Sequence, residues 1–278
     1  MTVEIVQIDA FTDQLFSGNP AAVCLLDEPA DPTWMQAVAG EMNLSETGFL
    51  VPVHGGYDLR WFTPTVEVDL CGHATLAAAH YLLEHKGASW EEPISFFTAS
   101  GELTAQVGND GWIELDFPAG TPEAITPPGA LLESLGLVDV VSVSRSRLDY
   151  LIEVPSADQL RELSPDFGHL GSIGTRGVIV TSVGEGLYDF LSRFFAPAVG
   201  VNEDPVTGSA HCSLGPYWAE RLGKEDLLAY QASPRGGVVR VGVRDDRVLL
   251  GGQAVTVMTA TLNAVPTEPV AQPAFVPG

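Results

Sequence analysis

The side chains best suited to chemistry lie in two segments, residues 69–75 and 202–211, and each segment leads into a predicted helix. The two helices begin at glycines, Gly72 and Gly208. The first turn of a helix has unpaired N–H groups and a partial positive charge, and glycine lets a ligand approach that backbone closely. Two such helix starts facing each other would hold an anion, most naturally a carboxylate. The polar side chains around it would be those of Asp69, Cys71, His73, Thr75, Asn202, Glu203, Asp204, Thr207, Ser209 and His211. The other interpretation is an ordinary helix start, with Asp204 or Thr207 as its N-cap.

A further carboxyl group, that of Glu46, lies between the predicted end of a helix and the start of an apolar strand. Its apolar neighbours Leu44 and Phe49 predict that it is partly buried. A carboxyl group in such surroundings is suited to general acid–base catalysis. A solvated surface glutamate is the alternative, and the residues alone do not decide between the two.

The sequence around the two glycines is repeated. Residues 60–69 (RWFTPTVEVD) are answered 133 positions later by residues 193–202 (RFFAPAVGVN), with Arg, Phe, Pro and two Val in register. This alignment then needs a three-residue insertion, after which Gly72 matches Gly208 at an offset of 136. A solenoid repeat has a much shorter period of about 20–50 residues. The long offset therefore predicts two similar halves in tandem.

Each half is predicted to contain one main helix, over residues 72–86 and 208–222, because apolar residues recur there at helical spacing. Gly87 and Gly223 follow these helices as C′ residues. Pro216 lies inside the second helix and predicts a kink or a later start.

Strands dominate the rest of the pattern. A further helix is predicted from Pro32, after the N-cap Asp31, to about residue 43. Ser156 and Gln159 predict a capping box for another helix in the second half.

The stretch rich in Pro and Gly at residues 118–122 (PAGTP) follows a predicted strand and indicates the domain boundary. We therefore expect an α+β protein with one half over residues 1–118 and the other over residues 119–265. The C-terminal tail, from about residue 266 to residue 278, is expected to pack back on the first half.

The composition limits the classes of partner. The chain is 45% hydrophobic and 18% charged, which is typical of a globular protein, and its net charge is −23. Such a charge repels phosphate backbones and anionic membranes, so nucleic acid and lipid are not expected as partners. An anionic substrate would need a locally built site.

The chain also lacks the patterns of a membrane or secreted protein. No apolar stretch approaches the length of a membrane span, and the first residues alternate like a strand rather than a signal peptide. Three cysteines without a C-x-x-C motif argue against a disulfide framework. The simplest expectation is a cytoplasmic, reduced protein.

Five ordered motifs carry a resemblance to a known family: DAFT at 9–12, SGNPAAV at 17–23, LSET at 44–47, CGHATLA at 71–77 and EDPVTGSAH at 203–211. Together they resemble the phenazine-biosynthesis PhzF-like isomerase and epimerase family, from the first strand to about Leu262. The resemblance implies the diaminopimelate-epimerase-like fold. In that fold two similar halves each have a curled mixed sheet around a central helix, and the active site lies in the cleft between them.

The resemblance also implies a function. It predicts an isomerase without cofactor or metal that moves a proton on a small carboxylated metabolite, of which a hydroxylated dihydroanthranilate is one example. Glu46 matches the family's catalytic glutamate, and His73, Asp204 and Ser209 match the polar residues around the substrate. The other predicted substrate-binding residues are Cys71, Gly72, Ala74, Thr207 and Gly208. Family members are commonly homodimers, an expectation that the mass in solution would test.

Three alternatives remain open. Cys71 stands where epimerase relatives have the first of two cysteine bases, although Thr207 occupies the second position and cannot act as a thiolate. A metal site could instead use Cys71, His73, His211 and Cys212, although their spacing is not that of a usual zinc module. The third alternative is a protein that binds a small molecule without catalysis.

Overall fold

The computed structural model describes residues 2–108 and 110–263. In chain order the first half contains β1 (Val3–Ala10), β2 (Asn19–Leu25), α1 (Pro32–Met42), β3 (Glu46–Val53), β4 (Gly56–Phe62), β5 (Glu67–Val68), α2 (Gly72–Lys86), β6 (Ile94–Thr98), β7 (Gly101–Val107) and β8 (Ile113–Pro118). The second half contains β9 (Glu123–Ala124), α3 (Gly129–Ser134), β10 (Ser142–Arg145), β11 (Asp149–Glu153), α4 (Ala157–Arg161), α5 (Phe167–Gly171), β12 (Gly177–Val183), β13 (Phe190–Ala196), a 3₁₀ turn (Pro197–Val199), β14 (Val201–Asp204), α6 (Gly208–Leu222), β15 (Asp226–Gln231), β16 (Gly237–Arg244), β17 (Arg247–Gly252) and β18 (Ala254–Leu262).

The predicted helices are confirmed. Both α2 and α6 have the expected bounds and end at glycines in the left-handed conformation, Gly87 and Gly223. Pro216 lies within α6 without ending it. The side chain of Asp31 caps α1, and Ser156 accepts a hydrogen bond from the Gln159 amide at the start of α4.

The two halves repeat one sheet topology. In the first half β2 is parallel to β3, β3 antiparallel to β4, and β4 parallel to β6, which continues antiparallel through β7 to β8. In the second half β11, β12, β13, β15, β16 and β17 follow the same order and directions. β8 pairs with β17 and joins the two sheets. The predicted class, two similar halves of curled mixed sheet, is confirmed.

The central helices are surrounded by sheet. Every residue of α2 from His73 to Leu83 is buried, which explains why apolar residues occur on all sides of this helix. α2 packs on the first half's strands, and α6 packs on β15, β16 and β17. One buried apolar cluster includes residues of both helices, such as Leu76 and Leu214, so the main core spans both halves.

The last described strand crosses between the halves. β18 lies within the predicted second half, yet it pairs with β1 along its whole length. β9 pairs with β10 inside the second half, so β18 is the strand that crosses. The division at residue 118 stays a prediction, but residues 254–262 complete the sheet of the first half. The tail that was expected to pack back, residues 266–278, lies outside the described residues.

Within residues 2–108 and 110–263, no helix is both long and apolar enough to cross a membrane. Cys24, Cys71 and Cys212 are buried free thiols.

Candidate active site

The two central helices meet at their first residues. A Cβ atom added to Gly72 would lie 3.4 Å from the Cα of Gly208, and one added to Gly208 would lie 3.4 Å from the Cα of Gly72. Cys71 and Thr207 occupy the N-cap positions, and neither side chain caps its helix. The amides of both first turns are therefore left for another acceptor, and their partial positive charges add at one place.

Glu46 is the first residue of β3 and faces the start of α2. Its Oε2 lies 3.1 Å from His73 Nε2, and the side chains of Glu46 and His73 are 18% and 5% exposed. The two atoms are close without being aligned as a hydrogen bond, and both are without a hydrogen-bond partner among the described residues. Each therefore keeps bonding capacity for a bound molecule.

Glu46 is partly buried as expected, but Leu44 and Phe49 are not the residues that bury it. Side chains alternate across a strand, so Phe49 points to the face of β3 opposite to Glu46. There Phe49 is buried, and Leu44 packs against the same cluster beside α1. The apolar surroundings of Glu46 come instead from the cavity described below.

Asp204 is held by a network that joins the halves. Asn19 Nδ2 donates to Asp204 Oδ1 at 2.8 Å and to the Val206 carbonyl at 2.9 Å. Thr207 Oγ1 donates to Asp204 Oδ2, and the Thr207 amide donates to Gln231 Oε1. These contacts fix the carboxylate beside the start of α6.

His73 contacts this network through its other ring nitrogen. His73 Nδ1 lies 3.2 Å from Asn19 Nδ2 and 3.5 Å from Cys71 Sγ. Asn19 Nδ2 has two hydrogens, and a carboxylate and a carbonyl accept both of them. His73 Nδ1 is thus not required as an acceptor and can carry a proton directed at the sulfur.

The charges of these groups depend on one another. Burial by itself lowers the pKa of His73, but Cys71 and the Glu46 carboxylate outweigh it, so that the pKa of His73 lies well above its usual value. The Cys71 contribution holds only for a thiolate, and burial together with the Glu46 charge raises the pKa of Cys71 to about 11. With Cys71 as a neutral thiol, Glu46 is the remaining group that raises the pKa of His73, and it acts against the effect of burial.

The pKa of Asp204 is raised towards neutrality. Burial is the largest cause, and the Glu46 charge adds to it, so the pKa of Asp204 rises to about 6. His73 and the hydrogen bonds from Thr207 and Asn19 oppose this rise.

One cavity of about 250 Å³ collects these groups. Eight of the nine predicted site residues line it: Glu46, Cys71, Gly72, His73, Asp204, Thr207, Gly208 and Ser209. Ala74 does not; it is fully buried in the core. Val66, Leu70 and Val199 give the cavity an apolar rim that is open to solvent.

Arg176 also lines this cavity, and sequence reasoning missed it. Its Nε donates to Asp149 Oδ1 at 2.9 Å and its Nη2 to Ser209 Oγ at 3.1 Å. Arg176 precedes β12 as Ser45 precedes β3, an equivalence that the strand pairing shows and the sequence repeat does not. The role of Asn19 was missed as well, although it lies inside one of the five motifs.

The predicted four-ligand metal alternative is not assembled among the described residues. The donor atoms of Cys71, His73 and Glu46 lie within 4.8 Å of one another, but those of His211 and Cys212 are not part of this group. His211 Nδ1 contacts the Thr207 carbonyl at 2.8 Å, and burial lowers the pKa of His211 to about 4. His211 is thus a neutral core residue.

Comparison with known proteins gives a consistent result. The sequence profile of the phenazine biosynthesis-like proteins (PhzC-PhzF) matches residues 8–260. A protein of Halalkalibacterium halodurans named as an isomerase is 58% identical over 94% of this chain and 99% of its own length. Another isomerase, from Pseudomonas aeruginosa, is 49% identical over 95% of this chain and all of its own length.

Solved structures agree with this sequence similarity. A PhzF-family protein of Enterococcus faecalis superposes with a TM-score of 0.90 at 39% identity, over 95% of this chain and all of that one. A hydroxyproline epimerase of Agrobacterium vitis superposes with a TM-score of 0.60 at 11% identity, over 94% of this chain and 92% of that one. The second likeness shows the shared fold alone.

Proposed function

Because this chain belongs to the phenazine biosynthesis-like (PhzC-PhzF) protein family and is an isomerase, we propose that it moves a proton on a small carboxylated metabolite, with Glu46 as the acid–base group. A cyclic dihydroaromatic acid is the first substrate type to test. The observation that carries the proposal is that Glu46, His73 and Asp204 converge on one cavity at two open helix starts.

The substrate carboxylate is held at the meeting point of α2 and α6. The uncapped amides after Cys71 and Thr207 supply hydrogen-bond donors there. Their partial positive charge compensates locally for a protein whose net charge is −23. Binding at this point places the carbon atoms of the substrate beside Glu46.

Glu46 transfers the proton. Its carboxylate, paired with the His73 imidazolium at 3.1 Å, removes a proton from one carbon of the substrate and returns it to another. The C–H bond electrons pass into the conjugated system next to the carboxylate, which gives a dienolate-like transition state. Helix amides and the imidazolium are donors already in position to stabilise this charge.

Asp204 and Ser209 orient the substrate. Asp204 is fixed by Asn19 and Thr207, and Ser209 Oγ is fixed by Arg176. Because both polar groups are held before the substrate arrives, little side-chain conformational entropy is lost on binding.

Replacing Glu46 with Gln tests the proposal. The Glu46→Gln variant keeps shape and hydrogen bonding but cannot accept the proton, so we expect kcat to fall by roughly 10²–10⁴-fold. Binding of a carboxylate ligand should persist. The measurement is turnover of a dihydroanthranilate-type compound in deuterated water, with the rate as the main readout and label incorporation as the second.

Two further variants control this experiment. Glu41→Gln makes the same charge change at an exposed position and should leave the rate unchanged. Cys71→Ser should keep most of the activity. Near-normal turnover of Glu46→Gln together with loss of activity in Cys71→Ser would show that the base is the Cys71 thiol and not Glu46.

The thiol epimerase is the second candidate because Cys71 lines the same cavity, 3.5 Å from His73. Two features weigh against it. The pKa of Cys71 is raised to about 11, so little thiolate exists at neutral pH, and Thr207 stands where a second thiol would be needed. The homodimer and the cytoplasmic location stay predictions.

A further inference from the structure

A second cavity, of about 380 Å³, lies beside the candidate catalytic cavity. Leu70, Arg176 and Ser209 line both cavities, so the two share a wall. Outside this wall the second cavity is bounded by the segment that connects the two halves and by the loop before β11, which includes Arg147. We call it the side cavity.

Arg176 is held rigidly at this shared wall. Its Nε and Nη2 both donate to the carboxylate of Asp149, and Nη2 also donates to Ser209 Oγ. The Asp149 side chain is 2% exposed and that of Arg176 is 32% exposed, so one edge of the guanidinium is anchored to a buried carboxylate while part of the side chain reaches solvent. Among the described residues Nη1 has no hydrogen-bond partner and keeps its donors for a ligand.

Arg147 supplies a second cation to the side cavity. Other arginines of this acidic chain, such as Arg193 and Arg235, are neutralised by a carboxylate. Arg147 is exposed and forms neither an ion pair nor a side-chain hydrogen bond within the part of the chain that the structure describes. A solvated surface arginine is the ordinary explanation, but this one lies at a cavity that a rigid arginine also lines.

The internal repeat relates Arg147 and Arg176 to positions near Glu46 in the first half. Ala21 pairs with Glu46 in the first half, and Asp149 pairs with Gly177 at the same place in the second. By this register Arg147 corresponds to Asn19, and Arg176 corresponds to Ser45. The second half thus has arginines at the positions that Asn19 and Ser45 occupy near Glu46 in the first half. Arg176 is paired with Asp149, so in the described part of the chain Arg147 is the one of the two that supplies an uncompensated positive charge.

We infer that the substrate is a dicarboxylate and that its second carboxylate binds in the side cavity, between Arg147 and the free edge of Arg176. The inference rests on the proposed function, which places the first carboxylate at the helix starts. A net charge of −23 repels a dianion, so both ends need local positive charge. The planar guanidinium groups match the geometry of a carboxylate.

Binding of chemically simple acids tests this. The aliphatic dicarboxylates from succinate to suberate are compared with monocarboxylates of the same chain length by calorimetric titration and ligand-observed NMR. We expect the native protein to bind the dicarboxylate of matching length more tightly than its monocarboxylate partner. Arg147→Gln should lower the dicarboxylate affinity about 3–10-fold and leave the monocarboxylate affinity unchanged.

Arg145→Gln is the matched control, because it removes the same charge two residues away from Arg147. The Arg145 side chain donates a hydrogen bond to Tyr150 and does not line the side cavity. It should leave the affinity for both acids as it is. Equal binding of mono- and dicarboxylates by the native protein, or equal effects of the two substitutions, would overturn the inference. These readouts need no turnover, so failure of the side cavity is distinguishable from failure of Glu46 in the rate experiment.

Discussion

At the level of one residue, the buried carboxyl group of Asp204 in the candidate site lowers folding stability when it is charged. Its pKa is raised from 3.8 to about 6, so the folded protein binds this proton more tightly than the unfolded chain does. Between these two values the unfolded chain ionises first. The contribution of Asp204 to folding stability therefore falls as the pH rises from about 4 to 6, and it stays unfavourable at neutral pH.

The Asp204→Asn variant should accordingly be more stable than the native protein at pH 7.5. We expect a gain of roughly 1–2 kcal/mol, less than the full titration cost, because Asn cannot accept both hydrogen bonds that Asp204 accepts. Urea denaturation at pH 7.5 and pH 4.5 measures it, and the gain should shrink at the lower pH. An equal difference at both values would mean that the charge of Asp204 is not its cause.

The single residues of the site could be found from the sequence only where a motif contained them. Glu46, His73, Asp204 and Ser209 were located through the resemblance, and all four line one cavity. Arg176 lies in no motif, and its role depends on Asp149 and Ser209, which are distant in sequence. Phe49 shows a different limit of sequence reasoning: it is near Glu46 in sequence but lies on the other face of β3, because side chains alternate along a strand.

At the level of elements, the helices were predictable because glycines end both of them, whereas the insertion in the repeat was not. Trp61 pairs with Val68 in the first half, and its counterpart Phe194 pairs with Asp204. Asp204 thus corresponds to Val68, at an offset of 136, and the insertion is the 3₁₀ turn at Pro197–Val199. The alignment of the sequence alone puts the insertion after this turn, because Val66 and Val68 match Val199 and Val201 by chance at the offset of 133.

The corrected register makes two ion pairs equivalent. Arg60 binds Glu67 through two hydrogen bonds, and Arg193 binds Glu203 in the same way. Each pair joins a strand to the short strand after it, but their side chains are 38% and 39% exposed in the first half and 9% and 13% exposed in the second. The repeat thus provides one interaction in two environments.

Because one ion pair is exposed and the other buried, the same substitution should lower the free energy of unfolding by different amounts in the two halves. Glu203→Gln should lower the free energy of unfolding by about 2–4 kcal/mol because it leaves the buried charge of Arg193 without its counter-ion. Glu67→Gln should cost less than about 1 kcal/mol because water solvates Arg60. Denaturant titration of both variants gives the comparison. Similar losses would show that burial does not distinguish the two pairs.

At the level of the whole molecule, the halves are tied together in three ways. β8 pairs with β17, β18 returns to pair with β1, and one apolar core includes residues of both central helices. The sequence repeat revealed the duplication but not these connections, because the partner of a strand is set by the whole sheet rather than by the strand's own pattern. The candidate catalytic cavity is lined by residues of both halves, so its geometry depends on these ties.

Such coupling predicts that the chain unfolds in a single step. Leu76 of α2 and Leu214 of α6 are fully buried in the shared core, so replacing either with Ala should cost about 2–5 kcal/mol and lower the midpoint of the same transition. Leu187→Ala, at a position that is 84% exposed, is the control and should leave the midpoint nearly unchanged. Scanning calorimetry of the three variants shows whether the chain unfolds in one transition or in two. Two separate transitions, one moved only by the Leu76 substitution and the other only by the Leu214 substitution, would show that the halves fold independently despite the strands they share.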